Sequence, residues 1–244
     1  AFQDFSQDYE GFFEWYEAVR NLPLRELVIR TTRTIGDELR SSGPEERVAL
    51  IEAFEEGNLL VDALWESAGF APRAVMREAG IEELVREWAF DEEQPVKARA
   101  SSLRILARID RSRELLEFSY LPLVERPGEQ EPEIVRAALR AFGDPDCSWA
   151  IPRIVAAFPV LSESSRSAWA WALARTRHPS VLPDLIALRV VEGPENAGSA
   201  LRELTGALFE MHAPEGWWEQ WWLEHRPEPV ELPLERYRAV VGRK

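Results

Sequence analysis

Cysteine and lysine are both scarce in this chain of 244 residues. The single cysteine, Cys147, excludes an internal disulfide framework and a zinc site built from several cysteines. No run of about 18 apolar residues occurs, so the sequence predicts no membrane-spanning helix. Residues 1–10 lack the basic and apolar regions of a signal peptide. These absences favour a soluble protein, cytoplasmic rather than exported.

A helix-turn-helix pattern recurs through the C-terminal two-thirds of the chain. Residues 133–143 form one apolar-periodic run, and the turn 144–146 leads into a second run over 149–158. The same order returns about 30 residues later, where Pro179 takes the place of Pro145. Repetition on this scale predicts an all-α fold, an α-solenoid of stacked antiparallel helix pairs.

These motifs resemble the HEAT-repeat superfamily, in particular the short PBS-lyase-type HEAT-like repeats of many bacterial proteins. The best match lies within residues 132–158 and contains the runs Val135-Arg136-Ala137-Ala138-Leu139 and Phe142-Gly143-Asp144-Pro145. Arg177 replaces the glycine in the third unit and Gly198 replaces the arginine in the last, so both units are degenerate. Tetratricopeptide repeats share a period near 34 residues, but their Trp-x2-Leu-Gly-x2-Tyr start is absent.

The resemblance divides the chain into three parts. Residues 1–94 are predicted to form an acidic, irregular helical region, either diverged repeats or a separate capping bundle. Residues 95–225 are predicted to hold the HEAT-like repeats. Residues 226–244 are predicted to form an extended, proline-rich C-terminal tail.

Negative charge is concentrated in the N-terminal region. Residues 1–94 carry 22 acidic and 9 basic side chains, whereas residues 95–244 carry 21 acidic and 20 basic ones. Such a field repels phosphate backbones and favours a basic partner. The sequence therefore predicts a protein partner of basic character rather than nucleic acid.

The predicted partner-binding residues fall into an acidic group and an aromatic group. Paired carboxylates such as Glu45-Glu46 are usually solvated, but as a group they suit a basic surface. The acidic residues singled out are Glu82, Glu83, Asp91, Glu92 and Glu93. The aromatic residues are Trp217, Trp218, Trp221 and Trp222.

The four tryptophans stand at i, i+1, i+4 and i+5, which predicts one broad aromatic face on a helix. This face is interpreted either as a partner anchor or as a cap on the open end of the solenoid core. A similar Trp-x-x-Trp-Trp helix ends many HEAT-like proteins, and that resemblance favours the cap. The aromatic stripe from Phe2 to Tyr16 allows the same two interpretations, with core packing favoured.

No catalytic or metal-binding constellation emerges. Cys147 and His178 stand near the starts of the second helices of adjacent repeats, which suggests a Cys–His nucleophile. Asp144 occupies the position equivalent to His178, however, so Asp144 and His178 are predicted to cap helices. No histidine spacing suits a metal, and no glycine-rich phosphate loop occurs. The sequence predicts neither a catalytic residue nor a cofactor.

Two hypotheses of function follow. The first is a non-enzymatic protein–protein interaction scaffold or adaptor that binds a basic protein or peptide through an acidic surface. The alternative is an enzyme or enzyme subunit on the same scaffold, because the resemblance extends to bilin lyases and alkylpurine DNA glycosylases. A glycosylase needs a basic groove for phosphates, and the charge distribution supplies no obvious one.

Overall fold

The computed structural model describes residues 14, 17–18, 20–67, 71–205, 214, 216–226 and 230–241. Within these ranges every regular element is a helix and no strand occurs. The all-α class predicted from the sequence is therefore confirmed. No helix in the described ranges combines the length and the apolar character that a membrane crossing needs. The chain divides into two compact units, residues 1–110 and 111–244.

The first unit is built from helices that follow one another closely along the chain. Its described helices are α1 (Leu24–Ser41), α2 (Pro44–Ser67), α3 (Pro72–Glu78), α4 (Ile81–Phe90) and α5 (Val96–Ile109). Proline starts α2 and α3, a position where the missing N–H has no intrahelical partner to lose. Gly80, with φ of 73°, makes the left-handed turn between α3 and α4.

Helix α5 forms the centre of the first unit because it packs against both α2 and α4. Its buried residues include Ala98, Ala100, Ser101 and Ser102, whose small side chains let neighbouring helices approach closely. Leu103 and Leu106, on the same helix, are fully buried. The core of this unit therefore lies around α5, which the sequence-based division assigns to the repeats.

The second unit continues the helical pattern in shorter pieces. Helix α6 (Arg113–Leu115) runs through a π-helical turn (Leu116–Tyr120) into α7 (Leu121–Glu125). The helices that follow among the described residues are α8 (Pro132–Ala141), α9 (Ile151–Ala157), α10 (Glu163–Arg175), α11 (Leu182–Glu192), α12 (Pro194–Thr205), α13 (Trp217–His225) and α14 (Leu234–Val241). Helix α8 packs against α10, and α10 packs against α12. Helix α7 packs against α9, and α11 against α13 and α14.

The capping predicted for Asp144 and His178 is confirmed. The Asp144 carboxylate accepts a hydrogen bond from the backbone N–H of Asp146 at 3.0 Å, and the His178 ring nitrogen accepts one from Ser180 at 3.3 Å. Each side chain caps a 3-10 turn, Pro145–Ala150 or Pro179–Val181, that leads into the second helix of its pair. The two turns are thus equivalent in structure as well as in sequence.

The turn after α8 contacts α10 through Gly143. A Cβ added at this glycine would overlap ring atoms of Trp171, which stands on α10. The Trp171 ring therefore occupies the space that a side chain at position 143 would need.

The variant Gly143→Ala is expected to lower the free energy of unfolding by about 1–3 kcal/mol, since the Trp171 ring must move. Gly128→Ala is the control, because no atom lies within 4 Å of its added Cβ. Urea unfolding of the two variants measures the difference. A loss of stability in Gly143→Ala no larger than that in Gly128→Ala would show that the Trp171 ring does not pack closely against this turn.

The prediction of an extended tail over residues 226–244 is wrong for residues 234–241. Pro233 directly precedes α14, so the prolines exclude helix only before Leu234. Tyr237 is fully buried, and its hydroxyl donates a hydrogen bond to Asp184 Oδ1 at 2.6 Å. Burial raises the pKa of Asp184, an effect that the Tyr237 hydrogen bond opposes. Helix α14 is therefore part of the core of the second unit.

Candidate protein-interaction surface

The predicted acidic residues of the first unit lie in different environments. Glu92 and Glu93 are exposed in the turn between α4 and α5, and Glu83 is exposed on α4. The Asp91 carboxylate accepts hydrogen bonds from the Gln94 side chain at 2.8 Å and from the Glu93 N–H at 3.0 Å. The Gln94 bond first, and then the Glu93 bond, lower the pKa of Asp91. Asp91 is therefore ionised at neutral pH and shapes the turn that presents its neighbours.

Glu82 does not belong to this surface. Its side chain is only 8% exposed, and its carboxylate forms ion pairs with Arg73, Arg77 and Arg86. The prediction that Glu82 faces a partner is wrong, because arginines from α3 and α4 neutralise a carboxylate that is buried beneath them. The adjacent Glu83 remains in solvent because neighbouring helical residues point in different directions.

Arg47 holds the start of α2 beside the turn that follows α4. Its Nε donates to the carbonyl of Ser42 at 2.9 Å, and its Nη1 donates to Gln94 Oε1 at 3.5 Å. Its guanidinium group lies 5.1 Å from the centroid of the Trp88 ring, within the range of a cation–π contact. The positive charge of Arg47 is thus directed toward the body of the unit.

The contact between Arg47 and Gln94 brings together two segments that carry exposed carboxylates. We call these carboxylates the acidic edge: Glu45, Glu46, Glu92 and Glu93. Among the residues that the structure describes, none of the four forms an ion pair. Nothing in the sequence distinguishes the pair Glu45-Glu46 from other acidic pairs. The contact between Arg47 and Gln94 is what places it beside the turn.

The tryptophans of α13 are divided between the core and the surface. Trp218 and Trp222 are buried, and the Trp222 Nε1–H donates to the carbonyl of Val230 at 2.9 Å. The prediction of a partner anchor is wrong for these two, because their rings are already covered by the second unit. Trp217 and Trp221 remain half-buried, so for them the prediction stands as made.

The aromatic stripe from Phe2 to Tyr16 lies outside the described residues.

The interpretation of Cys147 and His178 as a nucleophilic pair has no support in the geometry. Burial, and then the charge of Asp144, raise the pKa of Cys147 to about 11, so the side chain is a thiol at neutral pH. The His178 ring nitrogen is engaged with Ser180, whose hydroxyl lies 2.7 Å away. Within the described ranges no group of three or more His, Cys, Asp or Glu side chains is arranged to hold a metal ion.

Comparison of the chain with protein-family models, with curated proteins and with solved structures found no match.

Proposed function

We propose that the protein is a non-enzymatic interaction module that binds a basic protein or peptide through the acidic edge. The observation that carries this proposal is the presence of four exposed carboxylates at one end of the first unit, none in an ion pair among the described residues. Solvent-exposed ion pairs are individually weak, but several charges acting together steer a partner and select its sign.

The charge balance at the edge supports this proposal. The guanidinium group of Arg47, the basic residue closest in sequence to Glu46, is held against Trp88 and Gln94. Even with the exposed Lys97 of α5 included, negative charge exceeds positive charge at this end. Like charges that lie close together repel one another, and a bound lysine- or arginine-rich segment relieves that repulsion.

We also propose that the helix pairs of the second unit are HEAT-like repeats stacked as a solenoid. Three observations support this arrangement: the first helices α8, α10 and α12 pack in succession, the turns at Asp144 and His178 are capped alike, and Gly143 admits the Trp171 ring of the next pair. In such a stack each pair contacts mainly its neighbours. In this proposal the stacked repeats hold the interaction surfaces in fixed positions.

Charge reversal of the acidic edge tests the interaction. The quadruple variant Glu45→Lys, Glu46→Lys, Glu92→Lys, Glu93→Lys is expected to bind a fluorescein-labelled decapeptide of alternating Arg and Lys at least about tenfold more weakly than the original chain. Fluorescence anisotropy measures the affinity. Raising NaCl from 50 to 200 mM should weaken binding to the original chain more than to the variant, because the contact is electrostatic.

The matched control reverses four exposed acids of the second unit, with the same change in net charge: Glu114, Glu131, Glu224 and Glu231. It is expected to retain an affinity within about threefold of the original chain, since all four carboxylates of the acidic edge stay in place. Equal losses in both quadruple variants would mean that the peptide responds to net charge alone. That result would refute the acidic edge as a site.

A further inference from the structure

An arginine cluster on α3 and α4 surrounds two buried carboxylates. Nη2 of Arg73 lies 3.3 Å from Glu82 Oε1 and 3.0 Å from Asp110 Oδ2. Nη2 of Arg86 contacts the same two oxygens at 3.4 and 3.0 Å. Nε of Arg77 donates to Glu82 Oε2 at 3.2 Å. Both carboxylates are at most 8% exposed, so together they fix the positions of three guanidinium groups.

Most donors of these guanidinium groups are not used by the carboxylates. The side chains of Arg73, Arg77 and Arg86 are 42%, 66% and 40% exposed. Among the described residues, Nη1 of all three arginines and Nη2 of Arg77 have no hydrogen-bond partner. Nε of Arg73 is buried and also has none there. The cluster therefore carries positioned N–H donors that remain available to a ligand.

The cluster also holds an excess of positive charge. Three guanidinium groups face two carboxylates, which leaves one positive charge uncompensated within the group. Because Nη2 of Arg73 and Nη2 of Arg86 are each 3.0 Å from the same Asp110 oxygen, they are no more than twice that distance apart. Asp110 Oδ2 already bridges these two atoms, so a further oxyanion would bind the remaining donors of the two neighbouring guanidinium groups.

We propose that Arg73, Arg77 and Arg86 bind a terminal phosphate group, either as free phosphate or as a phosphate monoester. Its three terminal oxygens can accept from three guanidinium groups, whereas a carboxylate or a phosphate diester offers two. The chain carries a negative net charge, which repels an anion, but salt screens this repulsion over longer distances. A ligand in direct contact with the cluster is therefore attracted by the three arginines. This site is separate from the acidic edge and takes a ligand of the opposite charge.

An NMR titration of the full chain, labelled with ¹⁵N, tests the site. The probe is inorganic phosphate at constant ionic strength, and the Nε–H resonances of the three arginines are followed. We expect saturable shifts of all three, with acetate and dimethyl phosphate binding at least about tenfold more weakly. O-phosphoserine amide separates two sources of ligand: binding equal to that of phosphate supports a phosphorylated side chain, and binding of phosphate alone supports a free anion. Absence of saturation, or equal binding of acetate, would overturn the proposal.

Three arginine variants distinguish a specific site from a general effect of positive charge. Arg77→Gln is expected to lower phosphate affinity about tenfold, and Arg77→Lys to restore part of the loss, because lysine keeps the charge without the planar fork. Arg30→Gln removes an exposed charge from α1 and should leave the affinity within about twofold. Circular dichroism confirms that each variant is folded. Equal losses at Arg77 and Arg30 would contradict a specific site.

Discussion

Replacing Tyr237 by alanine is expected to lower the free energy of unfolding of the second unit by about 3–5 kcal/mol. The Tyr237 ring is fully buried and lies edge-on to Phe158, with ring centroids 4.7 Å apart. Its centroid is 6.1 Å from that of Trp169, which itself contacts Phe158. Truncation would leave a cavity among these rings and release α14. Urea unfolding followed by tryptophan fluorescence measures the loss.

The variant Tyr237→Phe separates the ring from the hydroxyl group. Phenylalanine keeps the aromatic contacts but removes the donor to Asp184, so a smaller loss of about 1–3 kcal/mol is expected. Arg236 Nη1 remains 3.2 Å from the same carboxylate oxygen and limits the effect. Equal losses for alanine and phenylalanine would mean that the ring adds nothing to the core. Such a result would contradict the placement of α14.

Replacing Arg166 by methionine is expected to lower the free energy of unfolding by about 3–5 kcal/mol, because it breaks one side of a buried ion pair. Arg166 on α10 pairs with Glu192 on α11, and the two side chains are only 8% and 6% exposed. The Arg166 guanidinium group also lies 5.3 Å from the centroid of the Phe158 ring. The pair therefore joins the two helices of one repeat within the core.

Two further variants test this explanation. The double variant Arg166→Met, Glu192→Leu is expected to recover most of the stability, since both charges of the buried pair are then replaced by apolar side chains. Arg175→Met removes one partner of the exposed pair Arg175–Glu203 on α10 and α12, and should change stability by less than about 1 kcal/mol. A double variant as unstable as Arg166→Met, or equal losses at Arg166 and Arg175, would show that burial of the pair is not the cause.

Local signals in the sequence were sufficient for part of the second unit. Apolar periodicity predicts α8 and α10, and the equivalent turns predict the caps at Asp144 and His178. Helix α14 was missed because three prolines lie between residues 226 and 234, and proline excludes helix only up to Pro233. The burial of Tyr237 depends on Phe158 and Asp184, which are far away in sequence.

The candidate sites could be predicted only in part from the sequence. Glu82 and Glu83 form one acidic pair in the sequence, but arginines on two different helices bury the first and leave the second in solvent. Arg47 links the two segments that carry the acidic edge, because it follows residues 45–46 and contacts Gln94 and Trp88. Neither arrangement follows from composition or periodicity, because each depends on tertiary contacts between helices.

Hydrogen exchange of the full chain, with and without the arginine- and lysine-rich decapeptide, tests the central claim most directly. Binding at the acidic edge is expected to slow amide exchange in residues 45–47 and 91–94, the backbone that presents the four carboxylates, because a bound segment restricts local opening. Exchange in the second unit should stay unchanged. Protection confined to residues 111–244, or spread evenly over the chain, would contradict the acidic edge as the binding surface.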